Sequence, residues 1–268
     1  MTDSKQDDEQ PEKFYKYRSM AEAGVIKWVE RIVLHNELYF APAKTFNDPF
    51  DLRPIFSLDA PKAMQVKGYE RLSKKYEPGL NREQRRAQAK EAVKNSLSRK
   101  NIKATEEEIQ TQHARVLTED VGLYCVSTKR DDILMWSHYA DYHRGICLEF
   151  DGEAKLMAHA HRVLYSQKRV PINAYSDDKD ASMTKALLTK SMHWAYEKEW
   201  RLINYEKGPG TVKFRPENLT GIVIGALASA DTVALVKQWV KARSHTLDIY
   251  QASLSKTDYA LDINKRKI

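Results

Sequence analysis

The chain has 268 residues, 42% of them hydrophobic, with five Trp and fourteen Tyr, which is enough apolar surface for a packed core. Its formal charge of +7 favours anionic contacts without choosing among nucleic acid, nucleotide and free phosphate. No apolar run approaches the roughly 20 residues of a membrane span, the acidic start MTDSKQDDEQPE is unlike a signal peptide, and Cys125 and Cys147 sit in apolar segments as buried free thiols, so a cytoplasmic protein is expected.

Residues 1–12 carry five acids against one lysine and are expected to be disordered, leaving 13–268 as a single α+β domain. Aromatic alternation in Phe14-Tyr15-Lys16-Tyr17-Arg18 predicts a short strand. Ser19 with Glu22 forms a capping-box pattern for a helix over about 20–35, with Val25, Trp28, Val29 and Ile32 as its apolar stripe. Leu38-Tyr39-Phe40 reads as a strand, and Phe46-Asn47-Asp48-Pro49-Phe50 as a turn held between two aromatics. From about 60 to 120 the pattern predicts a helical insertion broken near Pro78-Gly79. Residues 61–105 hold thirteen Lys or Arg against four acids, so the basic excess is concentrated there; a solvated face and a nucleic-acid or partner surface both fit.

Val121–Val126 predicts a buried strand ending at Ser127-Thr128, then a helix near 132–143 with Ile133, Leu134, Trp136 and Tyr139, and the strand Ile146–Phe150. A strand near 161–166 and a helix near 181–195 come next. The C-terminal part predicts a strand at Gly221–Gly225, a helix over about 229–243 and a strand near 246–251. Strands and helices alternate without a βαβ rhythm, which predicts an α+β (mixed α/β) fold, a central mostly antiparallel sheet with flanking helices and the helical insertion.

The segment Tyr196-Glu197-Lys198-Glu199-Trp200-Arg201-Leu202-Ile203 reads as one more strand, with Glu197, Glu199 and Arg201 on one face. Two acids aimed at one place repel each other. Either the face is solvated, with Arg201 neutralising part of the charge, or the pair serves a site. The spacing of His138 and His143 does not suit two ligands on one helical face, so no metal is expected. Neither a P-loop, a Rossmann fingerprint nor a G-x-S-x-G elbow is present.

The blocks KYRS, FNDPFD, YCVSTK, MWSHYADYHRGICLEFD and YEKEWRLI resemble the uncharacterised, mostly bacterial family known as domain of unknown function 2971. Arg18 on an early strand, Ser127-Thr128 on a middle one and Glu197-x-Glu199 on a later one also resemble the arginine, Ser-Thr-Ser and E-x-E arrangement of ADP-ribosyltransferases, with Lys129 at the third position of the middle motif. That resemblance implies NAD as substrate and a macromolecular acceptor, in a role such as phage defence or a toxin. Glu199 would stabilise the oxocarbenium-like transition state and Glu197 would orient or deprotonate the acceptor. Arg18 and Tyr17, Ser127 and Thr128, His138, Tyr139 and Asn47 would line the NAD pocket. The rival readings are a binding module that uses the basic insertion and a phosphate-handling or nuclease-like enzyme.

Overall fold

The computed structural model describes residues 9–94, 107, 111, 115–173, 175–176 and 178–265, with the side chains of 179 and 180 left aside. Most of the acidic tail, residues 1–8, and the middle of the basic insertion, residues 95–106, lie outside the described residues. In chain order the elements are β1 (Lys13–Arg18), α1 (Ala23–His35), β2 (Glu37–Pro42), β3 (Ile55–Ser57), α2 (Lys62–Tyr76), α3 (Arg82–Lys94), β4 (Gly122–Ser127), α4 (Ile133–Tyr139), β5 (Ile146–Asp151), β6 (His161–Arg162) and β7 (Leu164–Ser166). Next come β8 (Pro171–Asn173), α5 (Lys179–Leu187), β9 (Thr189–Ser191), β10 (Glu199–Asn204), β11 (Gly210–Lys213), β12 (Leu219–Ile224), α6 (Ala230–Ala242), β13 (Asp248–Leu254) and β14 (Leu261–Lys265). The fold is α+β with a large, mostly antiparallel sheet, as the pattern predicts.

The described residues form two compact units, one drawn from 1–45, 121–163 and 192–268, the other from 46–120 and 164–191. The first unit holds the large sheet, whose main path runs β11-β2-β4-β1-β5-β12-β13-β14. β12 and β13 are parallel and joined through α6, whereas the other pairs in this sheet are antiparallel. β10 covers one edge of β4 from Gly122 to Ser127. The other edge is shared: β2 pairs at Gly122 and Leu123, and β1 pairs only at Ser127. Between them, Tyr124 to Val126 face a gap.

Alternation divides the residues of this sheet between two cores. Phe14, Tyr124, Val126, Trp200 and Leu202 join Val29, Ile32 and Val33 of α1 and Val236 and Trp239 of α6. On the opposite face Tyr15, Tyr17 and Cys147 pack with Met135, Trp136 and Leu261.

Local chemistry shifts several boundaries. The Ser19 hydroxyl accepts from Ala21 N (3.1 Å), closing its own turn, so the expected capping box does not form and α1 begins at Ala23. Trp28 leaves the buried stripe and packs at a tilt against Tyr39 with ring centroids 4.9 Å apart. The helix expected over 181–195 ends at Leu187, because Thr189–Ser191 extend to pair with β7. The strand expected near 161–166 is two short ones interrupted at Val163, whose N–H donates to Glu199 O (2.9 Å). β14, which the sequence pattern does not announce, lies on β13.

The second unit contains two small parallel pairs, β3 with β8 and β7 with β9, around Phe56, Val170, Ile172 and Ala186. Asp48 Oδ1 accepts from Phe50 N (2.8 Å), the turn expected of Asn-Asp-Pro. α2 and α3 are separated at Pro78-Gly79, and Asn81 caps α3 by exchanging hydrogen bonds with Gln84, both at 2.9 Å.

Candidate active site

The two acids are presented by different elements. β10 starts at Glu199, whereas Glu197 ends a 3₁₀ turn over Met192–Glu197, and Lys198 between them takes a left-handed backbone with φ 46°. The single strand face expected for Glu197, Glu199 and Arg201 is therefore corrected: only Glu199 and Arg201 share it. A strand would have left two like charges side by side. The left-handed residue re-aims the first of them.

Glu199 and Arg201 form a two-point pair, Arg201 Nε donating to Oε1 at 2.8 Å and Nη2 to Oε2 at 3.2 Å. Arg201 is fully buried and Glu199 is 4% exposed. Such a forked contact fixes the plane of the carboxylate. Across the strand pair, Glu199 stands opposite Ser127.

Ser127 and Thr128 act on the backbone around the acids. The buried Ser127 hydroxyl donates to Glu197 O (2.6 Å) and accepts from Lys129 N (3.0 Å), and Thr128 N donates to Lys198 O (3.3 Å). They hold the 3₁₀ turn against the end of β4. The Tyr139 hydroxyl donates to Glu197 Oε1 at 2.5 Å, so α4 positions the side chain of that acid. Glu197 itself is 3% exposed.

α4 is anchored for this task. Asp132 caps it, accepting from Met135 N (2.9 Å), and Trp136 Nε1 donates to Arg130 O (2.9 Å). Tyr17 packs edge-on against Trp136 with centroids 5.2 Å apart and donates its hydroxyl to Lys129 O (2.7 Å), while burial pushes its phenol far above the usual range. Where the sequence predicted helix to 143, the chain leaves α4 at Ala140 through three consecutive left-handed residues, Asp141, Tyr142 and His143 (φ 47°, 50° and 68°). His143 stacks on Trp136, and its Nε2 lies 3.1 Å from Ser137 Oγ.

His138 is exposed, with its ring 6.1–6.5 Å from those of Tyr139, Tyr196 and Trp194. This aromatic rim borders Glu197. Sequence reasoning did not single out Trp194 and Tyr196 as site residues. Their spacing of two in a segment read as helix and then strand concealed that a 3₁₀ turn brings both rings to His138.

The structure thus brings together Glu197, Glu199, Ser127, Thr128, Tyr17, Tyr139 and His138. Arg18 stands apart from them. It shares the alternation of Phe14 and Lys16 rather than that of Tyr15 and Tyr17, so it projects from the face opposite Glu199. Asn47 belongs to the second unit, where it is exposed. Cys125 lies beside Glu199, and burial first, then that carboxylate, push its thiol far above the usual range. Among the described residues no group of three or more His, Cys, Asp or Glu is arranged to hold a metal.

A family model described as a protein of unknown function (DUF2971) matches residues 135–202, which bears out the resemblance read from the sequence blocks. The matched segment holds Trp136, His138, Tyr139, Glu197, Glu199 and Arg201, but neither Ser127 nor Arg18. No curated protein and no solved structure matches the chain.

Proposed function

We propose that the first unit carries an NAD-consuming site of ADP-ribosyltransferase type, acting on a macromolecular acceptor. The observation that carries this reading is the fixed carboxylate: Glu199, clamped by Arg201 opposite Ser127, with a second buried acid, Glu197, two residues before it and held by Tyr139. Breaking the bond between the ribose C1′ and the nicotinamide nitrogen sends the electron pair to the leaving nicotinamide and develops positive charge on the sugar. A carboxylate already oriented and shielded from water stabilises that charge without reorganising. Glu197 takes the proton of the attacking acceptor, and its nucleophile forms the new bond to C1′. The His138–Tyr139–Trp194–Tyr196 rim offers ring faces for the departing base.

In this reading Arg18 makes no contact with the ribose, and the family resemblance is what suggests phage defence or a toxin role. No helix among the described residues is long and apolar enough to cross a membrane; a cytoplasmic location belongs to the proposal, as the compartment in which an NAD-consuming enzyme finds its substrate. The test is labelled NAD with cell lysate. Wild type is expected to label an acceptor or release nicotinamide, and Glu199→Gln to lose at least about a hundredfold in rate. Equal turnover in the two proteins, or none in wild type with any acceptor, overturns it.

A second reading rests on α2 and α3, which bury only Gly68, Ala89 and Val93 and expose most of their basic side chains. We propose nucleic-acid contact through this surface as the alternative. It predicts binding that weakens steeply with salt, falls when Arg82, Arg86 and Lys90 are neutralised, and is indifferent to Glu199→Gln.

A further inference from the structure

The gap that β4 leaves between β1 and β2 gathers cationic groups without an anion. Lys16 Nζ reaches into it, donates to Cys125 O at 2.6 Å and lies 5.0 Å from the centroid of the Tyr124 ring. Arg18, two residues further along the same face of β1, has a buried Nε with no hydrogen-bond partner among the described residues. The Tyr124 hydroxyl, on a side chain 1% exposed, is also buried without a well-formed hydrogen bond and has the Arg18 guanidinium as its charged neighbour. Neither Lys16 nor Arg18 forms an ion pair among the described residues. Glu199 and Glu197 act on Lys16 through their charge, each favouring its protonated form, without a direct ion pair.

Buried donors left without acceptors cost about 1–3 kcal/mol each, and two neighbouring cations add repulsion. Native proteins satisfy nearly all such groups, with protein, ordered water or a bound ion. We propose that this gap binds a phosphate-type dianion, held by Lys16 Nζ, the Arg18 guanidinium and the Tyr124 hydroxyl.

The count of charges selects the ligand class. A carboxylate brings one negative charge and two oxygens. A phosphate or phosphate monoester brings about −1.5 to −2 at neutral pH and three acceptor oxygens. Lys16 spends one N–H on Cys125 O and keeps two, Arg18 offers its fork, and Tyr124 adds one O–H. Lys16 and Arg18 are both partly exposed along their side chains, whereas Tyr124 is buried. The position of Arg18 is fixed from behind: Gly145 lies so close that a Cβ there would collide with the Arg18 carbonyl. Glu197, Glu199 and Ser127 supply none of the proposed contacts, so the assignment does not rest on the NAD reading.

Titration calorimetry of the intact protein tests the proposal, with inorganic phosphate and adenosine monophosphate as probes and sulfate for comparison. Wild type is expected to bind at least one of the phosphates. Arg18→Gln and Lys16→Met are expected to weaken binding about tenfold or more, and Tyr124→Phe by a few-fold. Tighter binding of inorganic phosphate identifies the free ion as the ligand, and tighter binding of the nucleotide identifies a monoester on a larger molecule. The near-isosteric Tyr124→Phe decides the matter if the Lys16 or Arg18 variant fails to fold. No binding by wild type, or equal binding by wild type, Tyr124→Phe and whichever of the other two variants folds, overturns the site.

Discussion

Arg201 and Glu199, two residues apart on β10, form a forked ion pair from which water is excluded. The net gain from forming such a pair is small, because desolvation offsets the attraction, but removing one partner strands a buried charge. Arg201→Met takes the forked cation away from a buried carboxylate and is expected to cost about 3–5 kcal/mol in urea unfolding. The double variant Glu199→Leu/Arg201→Met is expected to recover most of that loss. Equal losses in the single and double variants would show that packing, not charge, sets the cost.

Tyr139 holds Glu197 through one short hydrogen bond, 2.5 Å long. Tyr139→Phe keeps the ring and deletes the donor, with an expected loss of about 1.5–3 kcal/mol, the range for bonds to charged groups. In the NAD reading the same change slows acceptor modification more than NAD binding. Parallel measurement of thermal stability, KM for NAD and kcat separates a positioning role from a purely structural one.

The strands at Phe14–Arg18, 121–126, 146–150 and 221–225 were legible because each combines apolar residues with a bounded length and a turn signal. Glu197 was placed wrongly on a strand for a reason of the same kind. Period-two alternation runs unbroken through Tyr196–Leu202, and no residue marks the left-handed backbone that Lys198 adopts. The pairing of Arg201 with Glu199 was visible as a shared face, but its burial was not, since that depends on strands and helices far away in sequence. Lys16 was hidden differently. A lysine among aromatics reads as the solvent side of a strand, and only the gap beside β4 turns it inward.

The left-handed run Asp141-Tyr142-His143 is a second place where conformation outruns sequence. For L-residues this region costs on the order of 1 kcal/mol each. Tyr142 is 68% exposed and adds little packing in return. Tyr142→Gly is therefore expected to stabilise the protein by about 0.5–1 kcal/mol, and Tyr142→Val to destabilise it, since a β-branched residue tolerates that backbone least. Differential scanning calorimetry reads both signs.

Burial, and then the neighbouring Arg18, lower the Lys16 ammonium from 10.5 to about 8. Between those values the unfolded chain holds a proton that the folded chain has released, so the Lys16 contribution to stability rises as pH climbs from about 8 to 10.5. The raised phenols of Tyr17 and Tyr124 and the raised thiols of Cys125 and Cys147 act with the opposite sign at alkaline pH. The quantity to measure is the difference between wild type and Lys16→Met in urea unfolding across pH 7–10.5. It is expected to shift in favour of wild type as pH rises, and a flat difference would show that Lys16 titrates alike in the folded and unfolded chain.

The single left-handed residue at Lys198 has a consequence for how the two acids can vary. On an uninterrupted strand, any change that turned one would turn the other. Here Glu199 is locked to the sheet by Arg201, and Glu197 is mounted on a turn held by Ser127 and Tyr139. The two are separately adjustable parts. Substitutions within Met192–Tyr196 can move the first acid through space with the second left in register, so the fixed member of the pair is Glu199 and the tunable one is Glu197.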